Sequence, residues 1–163
     1  AHSYLAKGDF ENAEKYAEKA SRNSPSNLSA MINLAITQKK NGKMQKAFQT
    51  LNEAKGLADG DELANIELII AGYTILNGNR EGGMEIFNRI KSLVEKRHNV
   101  ILAINHAWFR SIAGPSKVFY SELERALSLD KDGWVVRWLR YEQDMDKYRE
   151  EPEFKRLMEI YGK

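Results

Sequence analysis

Apolar positions recur along this chain at the intervals of three and four residues that give a helix one buried face. Short polar stretches holding Gly, Asn, Asp, Ser or Pro separate the segments. The pattern predicts helices over Ala1–Lys7, Phe10–Ser24, Leu28–Asn41, Met44–Ala58, Asp61–Asn77, Arg80–Arg97, Val100–Ile112 and Ser116–Ser128. Ser26 or Asn27 stands where it can cap the helix starting at Leu28, and Pro115 suits a helix's first turn. After Asp130 the spacing fails and aromatics take over. Trp134, Trp138 and Tyr141 stand at helical intervals, and Glu142–Asp146 interrupts them. A last helix starts at Pro152, with Phe154, Leu157, Met158 and Tyr161 on one face.

The helices repeat in pairs. Gly8, Gly42, Gly78 and Gly114 recur at spacings of 34, 36 and 36 residues. Each is placed to end a first helix in a left-handed conformation, which a residue without Cβ adopts freely. Five positions on, Ala13, Ala47 and Gly83 supply a small residue where two helices approach closely. Phe119 takes that place in the fourth unit and predicts a hairpin that is splayed or packs differently. Seven positions further, Ala20, Ala54 and Ala126 let the next hairpin dock, with Ile90 as the exception.

These residues resemble the tetratricopeptide repeat, a helix–turn–helix unit of about 34 residues. The first unit matches through Gly8, Phe10, Ala13, Ala17, Ala20 and Pro25. The second matches through Leu34, Ala35, Gly42, Ala47, Leu51 and Ala54, with Asp59 where the pattern ends in Pro. The resemblance implies an all-α fold, a right-handed α-α superhelix of antiparallel hairpins. Its units would be a partial repeat at 1–27 and repeats over about 28–61, 62–98 and 99–131. In that register Ala1 falls inside a first helix. Further repeats are therefore expected upstream, or else the truncated hairpin is open to self-association.

Residues 132–163 are expected to cap the array. The stretch from Asp144-Met145-Asp146 to Phe154 resembles a motif that closes some bacterial arrays of this family, and an open solenoid needs its last apolar face covered. Arg149 is expected to pair with a carboxylate such as Asp144 or Asp146 and so hold the turn.

Composition narrows the function. Lys and Arg number 25 against 23 Asp and Glu, a net charge of +2 that argues against a dedicated nucleic-acid binder. A helical repeat that grips RNA needs rows of basic side chains on its inner face, and Lys39 and Lys40 alone do not supply them. With no Cys there is neither a disulfide framework nor a thiolate metal site, and cytoplasm and periplasm fit equally. The longest apolar stretches, Ile66–Leu76 and Val100–Ile112, are broken by Glu67, Asn105, His106 and Arg110, so no membrane insertion is expected.

Catalytic and metal-binding patterns do not assemble. His2, His98 and His106 are the three histidines, and none stands in a ligand spacing. His106 reads as a hydrogen-bonded packing residue, and His98 as part of a cationic helix end. Asp130-Lys131-Asp132-Gly133 lacks the later oxygen ligands of a calcium loop and reads as a turn with a helix cap. Gly78 to Gly83 lacks the Lys-Ser/Thr of a phosphate loop. We therefore expect neither an enzyme nor a cofactor.

The resemblance also implies where a partner would bind, since the first helices of successive hairpins line a concave groove in this family. By register the groove positions include Ile32, Asn33, Ile36 and Lys40 on the second unit, Asn65, Leu68 and Ile69 on the third, and Asn105 and Trp108 on the fourth. Some members clamp a peptide's carboxylates with Lys, Asn and Arg. Here Asn33 occupies one clamp position, whereas Asn65 and Ile69 stand where Lys and Arg would be. The inferred lining is apolar with spaced amides, and Trp108 is the foremost candidate for an anchor. These residues could equally be core between hairpins. The expected function is a non-catalytic scaffold that binds a peptide or helix of a protein partner. The alternative is a regulatory or dimerisation segment of a larger enzyme or signalling protein.

Overall fold

Residues 8–162 are described in this computed structural model; the helix expected at Ala1–Lys7, His2 and the N-terminal self-association surface lie outside the described residues. Among those residues every regular element is helical. The elements are α1 (Phe10–Asn23), α2 (Leu28–Lys40), α3 (Met44–Lys55), α4 (Gly60–Leu76), α5 (Arg80–Lys96), α6 (Val100–Ala113) and α7 (Ser116–Leu129), then α8 (Trp134–Tyr141), a 3-10 turn (Gln143–Tyr148) and α9 (Pro152–Tyr161). Helices α2 and α3, α4 and α5, and α6 and α7 pack as hairpins, and α4 also packs on α6.

Local chemistry sets the boundaries. Asn27 caps α2 by accepting the Ala30 N–H at 3.0 Å, and Asn99 caps α6 by accepting from Ile101 and Leu102. Gly42 ends α2 at φ 72°, with the Lys43 N–H reaching back to the Gln38 carbonyl at 2.8 Å. Gly78 repeats this at φ 94°. Gly114 departs from the expectation: its backbone is extended, at φ −115° and ψ 172°. Pro115 follows it, and a residue before proline is driven out of the helical region. The third helix ends at Lys55 rather than Ala58, because the chain turns at Gly56 and Leu57.

The small positions work as contacts between helices. Ala13 and Ala47 are fully buried, and a Cβ on Gly83 would come within 2.6 Å of the Ala71 carbonyl oxygen. Phe119, at that place in the fourth hairpin, is buried, and its ring stacks on Tyr148 of the C-terminal segment with centroids 4.2 Å apart. Ala54 and Ala126 are buried at the docking position, but Ala20 is exposed. The first hairpin is pinned instead by a buried carboxylate. Glu14 takes hydrogen bonds from Lys43 at 2.7 Å and from Asn41, whose amide also donates to the Phe10 carbonyl at 3.0 Å. Burial alone would raise the Glu14 pKa; Lys43 and Asn41 hold it below the usual range.

One apolar core runs from Met31 to Leu157. Val135, Leu139, Met145, Tyr148, Phe154 and Leu157 join it from the C-terminal segment. Arg149 ties that segment together, donating to Asp146 at 2.7 Å and to the carbonyls of Leu139 and Glu142. Asp130 caps α8 by accepting the Val135 N–H at 2.7 Å.

Candidate functional site

The inner helices α2, α4 and α6 bring side chains one turn apart onto one concave face. Asn33, Ile36, Lys39 and Lys40 come from α2, Ile69 and Tyr73 from α4, and Ile101, Ile104, Asn105 and Trp108 from α6. They enclose a half-open pocket of about 190 Å³. The fourth wall comes from the C-terminal segment, which contributes Trp134, Trp138, Glu142 and Asp144.

Trp108 is the centre of the pocket floor. Its ring is 6% exposed, lies on Gly72 and meets Tyr73 edge-on with centroids 5.8 Å apart. The indole N–H donates to Asp144 at 2.9 Å. The same carboxylate receives the Lys39 ammonium at 3.1 Å, while Lys40 pairs with Glu142 at 2.7 Å. Burial by itself would raise the Asp144 pKa, and Lys39, Trp108 and Lys40 together hold it below the usual range. Tyr73 is pushed far upward by burial and by the neighbouring Asp144 and Glu142 charges, so its phenol stays neutral.

The residues expected at the groove divide three ways. Asn33, Ile36, Lys40, Ile69, Asn105 and Trp108 line the pocket. Asn65 is buried behind it and accepts the Asn105 amide at 2.7 Å, which fixes Asn105 rather than offering a hydrogen bond to a ligand. Leu68 is wholly inside the core, and Ile32 packs against the core at its edge. Groove and core are thus one layer here, since α4 presses its apolar face between α5 and α6. Sequence reasoning placed Trp134, Trp138, Glu142 and Asp144 in the cap alone and overlooked Tyr73. One signal was available: neither Lys39 nor Lys40 has a carboxylate three or four positions away on its own helix.

His106 is a packing residue. It is fully buried, stacked on Phe87 at 5.3 Å, and its Nε2 accepts from Arg110 at 3.0 Å. Its Nδ1 lies 3.0 Å from a carboxylate oxygen of Glu122. Burial favours the neutral form of Glu122, yet His106 and Arg125 bring its pKa to about 2. His106, Glu122 and Arg125 do not line the concave pocket. Among the described residues no three His, Asp or Glu side chains converge as metal ligands, and no helix is long and apolar enough to cross a membrane.

A stack of helical hairpins with a concave inner face defines a helical-repeat scaffold. Residues 4–66 match the family model of the tetratricopeptide repeat, in agreement with the all-helical hairpin stack described above. Repeats of this family generally mediate protein–protein interaction. Searches of curated proteins and of solved structures found no match.

Proposed function

We propose that this protein is a non-catalytic scaffold that holds a peptide or helix of a protein partner in the concave pocket. The convergence of α2, α4 and α6 on one apolar, half-open cavity carries this reading. At about 190 Å³ the cavity is smaller than the roughly 300–1,000 Å³ usual for small-molecule sites. It suits one or two anchoring side chains. Ile101, half-exposed at the rim, offers the first apolar contact, and Asn33 offers an amide beside it. In this reading residues 28–131 present the site and 132–163 close its end.

Affinity capture from the native proteome tests the proposal, with Ile101→Asp compared against Leu57→Asp. Both side chains are more than 45% exposed, but only Ile101 faces the pocket. Ile101→Asp should lose the captured partner while circular dichroism stays unchanged, and Leu57→Asp should retain it. Equal capture by both variants rules the pocket out.

A further inference from the structure

Glu142 and Asp144, in the pocket wall, pair with a helix more than 100 residues earlier in the chain. They meet Lys39 and Lys40, and the contacts are well formed. The Lys40–Glu142 pair leaves each side chain about one-tenth exposed, and Asp144 satisfies Lys39 and the Trp108 indole at once. Within its own turn, Glu142 Oε1 also accepts the Asp144 N–H at 3.1 Å, so the two carboxylates are presented as a unit.

The attachment of this tip differs from that of the rest of the cap. Met145 and Tyr148 are buried in the core, and the Tyr148 hydroxyl and the Lys147 ammonium both donate to the Ser111 carbonyl at 3.0 Å. The stretch Glu142-Gln143-Asp144 buries no apolar side chain and is held to α2 through its carboxylates. Charge pairs of this kind can be exchanged for equivalent pairs supplied by a partner; a packed aromatic cannot. Without the tip, Lys39 and Lys40 would stand at the pocket edge with no carboxylate in reach on their own helix.

We propose that Glu142 and Asp144 form a built-in ligand, a carboxylate latch in the wall of the concave pocket that a partner displaces with acidic side chains of its own. The proposal rests on the pocket being the binding face. It also states the partner's chemistry: two carboxylates spaced as Glu142 and Asp144 are, able to pair with Lys39 and Lys40 in their place. The intramolecular latch competes at high effective concentration, so such a partner binds the closed protein more weakly than the open one.

The chain carries its own reporter, since its three tryptophans, Trp108, Trp134 and Trp138, all line the pocket. The test uses the full chain, unaltered and as the Glu142→Gln/Asp144→Asn double variant. Acrylamide quenching of tryptophan emission should rise at least twofold in the double variant, with helical circular dichroism unchanged. A fluorescein-labelled peptide copying residues 140–144 should bind the double variant at least tenfold more tightly than the unaltered protein, read by anisotropy. Should the double variant fail to fold, Lys39→Gln/Lys40→Gln opens the latch from the other side, and the exchanged pair Lys40→Glu/Glu142→Lys should restore low quenching. Quenching that is the same in all forms, or a peptide that binds open and unaltered protein equally or not at all, overturns the proposal. Unchanged quenching with partner capture lost in Ile101→Asp removes the latch and leaves the binding face. Raised quenching and tight peptide binding, with capture indifferent to Ile101→Asp, removes the proteome partner's use of the face and leaves the latch as a self-contact.

Discussion

Trp108 rests on the bare backbone of Gly72: a Cβ built on that glycine would lie 2.4 Å from two carbons of the indole ring. Neither residue's role is visible without the other. The glycine lets the ring lie flat on α4, and the ring's position carries its N–H to Asp144 at 2.9 Å.

Gly72→Ala should therefore displace the ring rather than merely tighten a contact. In an exposed helix this change favours folding by up to about 1 kcal/mol. Overpacking a filled site costs about 1–3 kcal/mol, so the contact decides the sign. The variant should unfold at lower urea than the parent and show red-shifted, more quenchable tryptophan emission. Parent-like stability and emission would mean that the ring has room to move.

Gly83→Ala should be the more damaging of two glycine substitutions, one inside α5 and one just after α3. Its Cβ would meet the Ala71 backbone oxygen at 2.6 Å, and backbone cannot rotate away as a side-chain end can. The hairpin of α4 and α5 must then open. Gly56 provides the contrast: it has helical dihedrals, φ −67° and ψ −16°, and the nearest atom to its Cβ would be at 3.4 Å. Gly56→Ala should stabilise by about 0.4–1 kcal/mol through the unfolded chain. Urea midpoints moving in opposite directions for the two variants would bear this out; a stabilised Gly83→Ala would contradict it.

Much of this architecture is local and so was legible in the sequence. Apolar spacing located the helices, and the turns at Gly42 and Gly78 needed only a residue that tolerates positive φ. The candidate site was legible in part. Ile69 and Leu68 are adjacent on one helix, yet one faces the pocket and the other the core, and that choice depends on how α4 packs between its neighbours. The wall formed by Glu142 and Asp144 was not legible, because it depends on pairs 102 and 105 residues apart that no periodicity encodes. The unmatched Lys39 and Lys40 were its one trace.

Acid should reveal the cluster around His106. The Glu122 pKa is lowered in the fold from 4.5 to about 2, so the folded state favours the ionised carboxylate. Its contribution is complete above the unfolded value of 4.5. Below it the unfolded chain binds the proton first, and the contribution falls until the folded carboxyl also protonates near pH 2. The shift corresponds to at most ~3 kcal/mol. Glu122→Gln should lower stability at neutral pH and flatten its fall between about pH 5 and 2, measured by urea denaturation at each pH. Parallel curves for variant and parent would show that Glu122 does not carry this dependence.

Ending the chain after Asp130 should cost the fold its cooperativity. The deletion removes Val135, Leu139, Met145, Tyr148, Phe154 and Leu157 from the core and takes the stacked ring of Tyr148 off Phe119. Leu123 and Leu127 lie on the helix that α8 and α9 cover, and they lose burial with Phe119. At ~1.5–3 kcal/mol for each buried side chain, these three alone represent a large fraction of the ~5–15 kcal/mol that usually stabilises a domain. The deletion also frees Lys39, Lys40 and the Trp108 indole from their carboxylate partners. The truncated protein should bind a hydrophobic dye, self-associate in sedimentation and unfold over a broader, earlier urea range. A monomer with a single transition at the parent midpoint would show that residues 131–163 merely lie on an array already complete.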